Sequence, residues 1–291
     1  MLKRYIPAFF VLLWSTGFIG TKMGLPYASA GDFLSIRALA NVVIIFIILL
    51  VIKAPKLNRK QILHAGVTGT LIHGAYLGGV FCAIELGIPA GLTAIIVGLQ
   101  PLLTALLAIA VFNATVTRVQ WLALFFGFVG LVLVLGSSLT LTGISAFAIT
   151  FTLVALVGIT IGTMYQKRFC QGQALLPSVF WQYVASLLVF LPIALLEPVK
   201  PVQWNLTFVA TLTWLVLGLS VVAILLLMYM VEQGEASKVT AYMYLVPPVT
   251  AVEAWLLFDE KLSLLSISGM IVCALSVYWL MNTNKSSVKT G

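Results

Sequence analysis

The residues of this sequence that could do chemistry are polar side chains inside long apolar stretches, where a polar group is costly and is often retained for function. Glu253 shares one helical face with Tyr242, Val246 and Thr250. It lies toward one end of its stretch, where a carboxylate can titrate, gate a mouth or bind a substrate amine. The alternative is a partly hydrated carboxylate that pairs with a basic residue in a nearby loop.

A second candidate is Gln100, which shares a helical face with Ile96 and directly precedes Pro101. A glutamine side chain has both donor and acceptor groups, so it can bind a zwitterionic substrate. An ordinary hydrogen bond to a neighbouring helix is the alternative for Gln100.

Two further candidates, His73 and Tyr76, lie three residues apart and therefore face the same way on a helix. A histidine near the middle of a membrane titrates near neutral pH and could carry protons. A neutral histidine bonded to a neighbouring helix remains the alternative.

The aromatic candidates are Trp14 and Phe18, which flank Ser15 about half-way along the first apolar stretch. Their rings could stack on an aromatic or apolar substrate, or they could pack against other helices. Tyr165 is a further substrate-binding candidate, although a tyrosine near the end of a span is usually an interface anchor.

Arg37 is the basic candidate, close to the predicted outer end of its span. Its side chain could reach the lipid headgroups by snorkelling. The sharper interpretation is that it binds a substrate carboxylate or contributes to gating.

The motifs of enzymes and metal sites are absent from the sequence, which has no HExxH, no Walker loop and no cysteine–histidine metal spacing. His64 and His73 are nine residues apart without supporting carboxylates, so we expect no metal site. Three cysteines cannot form a complete set of disulfides, and we expect them to be free thiols. We therefore predict neither catalytic residues nor a cofactor.

Composition indicates which elements must position these side chains. Of the 291 residues, 62% are hydrophobic and only 8% are charged, against about 25% charged residues in soluble proteins. A membrane-spanning helix needs about 20 apolar residues, so ten spans occupy almost the whole chain. They are Tyr5–Lys22, Phe33–Ile52, Ile62–Glu85, Ala90–Val111, Arg118–Gly136, Ile144–Gln166, Ser178–Leu196, Phe208–Glu232, Ser237–Phe258 and Leu264–Met281. No sizeable loop remains to dock another protein, so we predict no obligate protein partner.

The distribution of lysine and arginine residues predicts how the protein is oriented in the membrane. Alternating ten spans places twelve of the 16 lysine and arginine residues on the side that holds both termini. Because basic residues mark the cytoplasmic side, we expect both termini in the cytoplasm. The net charge of +8 is thereby explained without a nucleic-acid partner.

The two halves of the sequence resemble each other. At an offset of 146 residues, Pro101 falls on Pro247, each inside a long apolar run. This predicts two five-helix units, residues 1–137 and 138–291, which enter the membrane in opposite senses because five is odd. Such inverted repeats place a substrate cavity between them. A proline inside a helix kinks it, so we predict Pro101 and Pro247 as hinges beside that cavity.

Three motifs resemble the EamA family of the drug/metabolite transporter superfamily: Trp14-Ser15-x-x-Phe18-x-x-x-Lys22, Arg37-x-x-x-Asn41, and the run from Glu253 to Ser263, EAWLLFDEKLS. The resemblance covers the chain as two copies, and the first copy has Asn113-Ala114-Thr115 where the second has Asp259-Glu260-Lys261. It implies ten helices around a central cavity and export of small metabolites by alternating access. Among the characterised members of this family, the sequence resembles the amino-acid exporters, including those for aromatic amino acids.

We therefore predict an all-α integral membrane protein, not an enzyme, that acts as a secondary transporter of the bacterial inner membrane. Its expected cargo is amino acids or similar small metabolites, with proton coupling as one option and lipid as its surroundings. The alternatives are the same fold exporting cationic drugs, nucleosides or sugar derivatives, and a membrane scaffold or membrane enzyme.

Overall fold

The computed structural model describes residues 5–100, 102–104, 106–107, 118–142, 146–197, 200–223, 225–226, 230, 245–260 and 263–287. Helices account for the regular structure in these ranges, which contain no strand. The helices are α1 Ile6–Gly24, α2 Ala30–Val51, α3 Arg59–Glu85, α4 Ala90–Val97, α5 Arg118–Thr142, α6 Ala146–Phe169, α7 Leu175–Leu196, α8 Leu206–Ala223, α9 Val246–Phe258 and α10 Leu264–Ser287.

Six of these helices, α1 to α3 and α6 to α8, are long and apolar enough to cross a membrane. Shorter apolar helices coincide with the fourth, fifth, ninth and tenth predicted spans. The prediction of an all-helical membrane protein is thus confirmed. The count of ten spans and the inverted repeat stay predictions, since the predicted fourth and ninth spans extend into residues outside the described ranges.

Polar caps explain where several helices begin. The Ser29 side chain accepts a hydrogen bond from the backbone N–H of Asp32, and Asn205 does the same for Phe208. At the start of α3, Asn58 and Gln61 form a reciprocal capping box. Such caps satisfy backbone N–H groups that the first helical turn leaves free.

The helices α3 and α8 contain π-helical segments that the sequence did not predict. The segments are Thr70–Leu77 in α3 and Trp214–Ala223 in α8. A π-helical stretch widens the backbone and is often found at functional sites. In α3 this stretch carries both His73 and Tyr76.

The two prolines predicted as hinges differ in how far the structure describes their surroundings. The helix α4 ends at Val97, before a turn at Gly98 and Leu99, whereas Pro101 lies outside the described residues. Pro247 stands in the first turn of α9, where its missing N–H costs no helical hydrogen bond. Pro247 therefore lies in the first turn of the described helix α9, and its role as a hinge stays a prediction.

Packing brings the helices together in a regular pattern. α2 packs along α7, α4 along α9 and α5 along α10, while α3 contacts α6 and α7, and α1 contacts α8 and α9. Glycines permit several of the closest approaches. A side-chain carbon at Gly69 would collide with the backbone of Gln182, and one at Gly158 would meet the backbone of Tyr76. Both contacts join the central helix α3 to its neighbours.

Candidate functional site

An acidic site lies between α1 and α9. The Ser15 hydroxyl oxygen, fully buried at the midpoint of α1, is 2.8 Å from Glu253 Oε1 and 2.8 Å from the carbonyl oxygen of Leu12. One hydroxyl hydrogen serves one acceptor at a time. Ser15 can therefore donate to an ionised Glu253, or donate to Leu12 and accept from a protonated Glu253. The geometry suits both protonation states of the carboxyl group.

Among the described residues, Glu253 does not pair with a basic loop residue, which was the alternative that the sequence left open. Glu253 is five residues from the end of α9, yet it faces the middle of α1, and Thr250 on the same face lies 3.4 Å from the Ser15 carbonyl oxygen. Glu253 Oε2 is buried without a hydrogen-bond partner, and the carboxylate forms no ion pair with a described basic residue. Lys200, a basic loop residue, donates to the Leu25 carbonyl oxygen instead, at 2.9 Å.

A group of charged and polar contacts joins helices at one end of the bundle, and we call it the outer latch. Lys22 Nζ at the end of α1 lies 2.6 Å from Glu260 Oε1 in the turn between α9 and α10. Glu260 also accepts hydrogen bonds from the backbone N–H groups of Ala90, at 3.0 Å, and Gly91, at 3.2 Å. These N–H groups belong to the first turn of α4, where the helix dipole favours an anion. The outer latch thus joins α1, α4 and the α9–α10 turn.

The same end of the bundle holds two more carboxylates bonded to a helix start. Glu85 accepts from the N–H of Ala30 at 3.2 Å, and Glu197 accepts from the N–H of Gly31 at 2.9 Å. Both N–H groups belong to the first turn of α2. These contacts join the start of α2 to the ends of α3 and α7, on the side that the sequence predicts to be periplasmic.

A second polar site surrounds Arg37, and we call it the Arg37 cluster. Its members are Arg37 and Asn41 on α2, His73 and Tyr76 on α3, and Gln182 and Tyr183 on α7. Arg37 is only 6% exposed, and its Nε has no hydrogen-bond partner. Asn41 is fully buried, and neither its Oδ1 nor its Nδ2 has a partner. Arg37 is thus buried among helices, which does not agree with the interpretation in which its side chain reaches the lipid headgroups.

Tyr183 connects the Arg37 cluster to both π-helical segments. Its ring stacks on His73 with ring centroids 4.4 Å apart, and its hydroxyl donates to Ser220 Oγ at 2.9 Å. His73 lies in the π-helical segment of α3 and Ser220 in that of α8. Sequence reasoning did not select Tyr183, because a tyrosine in an apolar run gives no signal of what it contacts.

Two other predicted residues make bonds between helices. Gln100 Nε2 donates to Thr163 Oγ1 on α6 at 2.9 Å, which agrees with the alternative interpretation of Gln100. The Tyr165 hydroxyl lies 2.8 Å from His64 Nδ1, and the ring of Phe169 stacks on His64 at 5.1 Å. This contact joins α3 to α6 at the opposite end of the bundle from the outer latch.

Several predicted substrate-binding residues are packing residues in this structure. Phe18, Ile96 and Val246 are buried in apolar clusters, and Trp14 packs on Phe10 with ring centroids 5.3 Å apart. Pro247 packs against Gly98. Two further predicted site residues, Tyr242 and Pro101, lie outside the described residues.

A crevice of about 160 Å³ lies between the residues that follow α4 and the helices α9 and α10. Its lining is apolar and includes Leu99, Pro247 and Met270. It is therefore distinct from both polar sites, and the predicted central cavity stays a prediction. Within the described part of the chain, no group of three or more histidine, cysteine or acidic side chains could hold a metal ion.

Long apolar helices with buried polar groups at mid-length are typical of a helical membrane protein with a functional site inside the bundle. The model of the EamA-like transporter family matches residues 6–136 and again residues 146–282. The chain therefore belongs to this family, and the resemblance noted in the sequence is confirmed.

Known relatives agree with this class. An uncharacterized transporter of Bacillus subtilis is 25% identical over 97% of this chain and 92% of its own length. A probable amino-acid metabolite efflux pump of Salmonella typhimurium is 24% identical over 92% of this chain and 91% of its own length. An S-adenosylmethionine uptake transporter of Rickettsia prowazekii is 24% identical over 65% of this chain and 62% of its own length. A solved crystal structure with 18% identity superposes with a TM-score of 0.64 over 98% of both chains, which shows the fold alone.

Proposed function

We propose that this protein is a secondary transporter of the bacterial inner membrane that exports amino acids or similar small metabolites by alternating access. The outer latch is the observation that carries the proposal. Lys22 and Ala90 belong to the first predicted unit, whereas Glu260 belongs to the second. Contacts of this kind can hold one side closed and release when the two units rock apart.

The packing of the helices supports the proposed inverted repeat. With five helices per unit, α2 corresponds to α7, α4 to α9 and α5 to α10, and each of these helices packs on its own counterpart. A two-fold axis between the units would produce such pairs among the helices that lie beside the axis. The two π-helical segments also fall in corresponding helices, α3 and α8.

The buried charges support a zwitterionic cargo. Glu253 and Arg37 are ionisable groups of opposite sign, and each has a buried atom without a hydrogen-bond partner. Amino acids carry both an ammonium and a carboxylate group. The name of the Salmonella relative, an amino-acid metabolite efflux pump, agrees with this cargo and with export.

Flux measurements test the proposal. Purified protein in liposomes should move labelled amino acids down their gradient faster than protein-free liposomes. Glu260→Ala removes the outer latch and should reduce exchange between the two sides, because the closed state loses an ion pair and two helix-capping bonds. If the intact protein moved no amino acid in a full panel, this cargo would be wrong.

Cationic compounds are the second candidate cargo. Glu253 faces the midpoint of α1 and has a free carboxylate oxygen, so a lipophilic cation could bind there. The same liposomes separate the two candidates when labelled cations are added to the panel. Transport of cations without transport of amino acids would favour the second.

A further inference from the structure

The Arg37 cluster contains a buried cation for which the described chain supplies no counter-ion. Arg37 is 6% exposed, and the ion pair in the described ranges joins Lys22 to Glu260 instead. The polar groups within electrostatic reach of Arg37 include the hydroxyls of Tyr76 and Tyr183 and the imidazole of His73, and none of them is an acidic side chain. A buried charge without a partner is strongly unfavourable unless something else supplies opposite charge.

Asn41, next to Arg37, is a second buried polar side chain that lacks hydrogen-bond partners. It lies one helical turn from Arg37 on α2, so the two side chains occupy the same face. Asn41 is fully buried, and both its amide nitrogen and its amide oxygen lack partners. A guanidinium and an amide N–H therefore lie side by side, both able to donate to one acceptor.

We infer that Arg37 and Asn41 bind the carboxylate group of the transported substrate. This inference rests on the proposed function, and it names the chemical group that the site recognises. A carboxylate can accept two hydrogen bonds from a guanidinium fork and another from an amide. A phosphate group fits less well, because its second negative charge would face Tyr76, Tyr183 and Gln182, which are neutral.

Two side chains of α3 lie beside Arg37 and are not fully buried. His73 and Tyr76 are partly exposed although both lie in the middle of α3, and Tyr76 is within electrostatic reach of Arg37. Under this inference, a substrate would reach the donors of α2 past these two side chains, which belong to the π-helical segment of α3.

Matched ligands test the inference in purified protein. An amino acid and its amide share the side chain and the amino group, and they differ in the carboxylate. The intact protein should bind the acid more tightly than the amide. Arg37→Gln should weaken binding of the acid by about 10- to 100-fold, as expected for loss of a charge-assisted hydrogen bond, and leave binding of the amide unchanged.

Further variants keep the test decisive. Thr152→Val is the control, since Thr152 is also fully buried with an unpartnered oxygen but lies on α6 and carries no charge. It should bind both ligands as the intact protein does. If Arg37→Gln fails to fold, Arg37→Lys keeps the charge but loses the planar guanidinium fork, and Asn41→Ala loses one amide hydrogen bond. Each should weaken acid binding alone, by about 2- to 10-fold.

The outcomes separate this inference from the proposed cargo. Equal binding of acid and amide by the intact protein, or equal loss of both in Arg37→Gln, would overturn the inference and leave amino-acid transport standing. Arg37-dependent binding of a 2-oxo acid, without binding of any amino acid, would support the inference and contradict the proposed cargo.

Discussion

At the scale of single residues, Ser15 and Glu253 show what the sequence could and could not predict. Glu253 stands out because it is a carboxylate in an apolar run, and Ser15 because it belongs to a family-like motif. Their contact joins residues 238 positions apart, so only the fold shows that they meet. The unpartnered oxygen of Glu253 is equally invisible in a sequence.

Replacing the Glu253 carboxyl by an amide tests proton coupling. Glu253→Gln still accepts a hydrogen bond from Ser15, yet it cannot change its charge. We expect exchange of labelled for unlabelled amino acid to persist at a reduced rate, because the amide oxygen can still accept a hydrogen bond from the substrate ammonium group, whereas transport driven by an imposed pH gradient is lost. The measurement compares both activities in the same liposomes.

Ser15→Ala is the control for the Glu253→Gln variant. It removes the hydrogen-bond partner and keeps the carboxyl group, so transport should still respond to the pH gradient. A Glu253→Gln variant that remains fully driven by the gradient would exclude Glu253 as the coupling residue.

At the scale of elements, the ends of most helices were predictable and their internal irregularities were not. Hydropathy placed α2, α6 and α7 within a few residues of their observed bounds, because length in a bilayer is set by apolar thickness. The π-helical segments of α3 and α8 depend on tertiary packing. In α6, Gly158 allows close packing, since a side-chain carbon there would meet the backbone of Tyr76.

The close contact of α3 with α7 at Gly69 predicts that a larger residue at this position destabilises the protein. Gly69→Ala would place a carbon against the backbone of Gln182, which cannot move without separating the helices. We expect a loss of about 1–3 kcal/mol in the free energy of unfolding, the usual cost of overpacking. A lower melting temperature in detergent would show it.

Gly66→Ala is the matched control on the same helix. Its nearest neighbour would be Ala185 Cβ at 3.8 Å, an ordinary contact. Because alanine is the better helix former by about 1 kcal/mol, this variant should melt at or above the temperature of the intact protein. Equal melting of the two variants would contradict the close approach at Gly69.

At the scale of the whole molecule, the account depends on two units that cross the membrane in opposite senses. The sequence suggested this arrangement from a pair of prolines and an odd number of spans. The packing of α2 on α7, α4 on α9 and α5 on α10 supports it. The Arg37 cluster and the outer latch draw on helices from both units, which is why neither could be assembled from the sequence.

Topology reporters test the arrangement directly. An even number of spans and the bias of basic residues predict both termini in the cytoplasm. A fluorescent protein that folds only in the cytoplasm should therefore be bright at either end, and alkaline phosphatase should be inactive at either end. Reporters on opposite sides of the membrane would rule out two units of five spans.

The contact of α5 with α10 bears on how such a chain can evolve. Cys273 Sγ lies 3.7 Å from the carbonyl oxygen of Gly127, a residue 146 positions earlier, and the thiol also fills the space beside Gly130. Under the proposed two-fold relation, these positions are each other's counterparts and meet at the axis. An ancestral pair of separate, identical subunits would carry the same residue on both sides, and two bulky groups would then compete for one space. Fusion into a single gene removes that constraint. A bulky residue on α10 can then be matched by glycine at the corresponding place on α5.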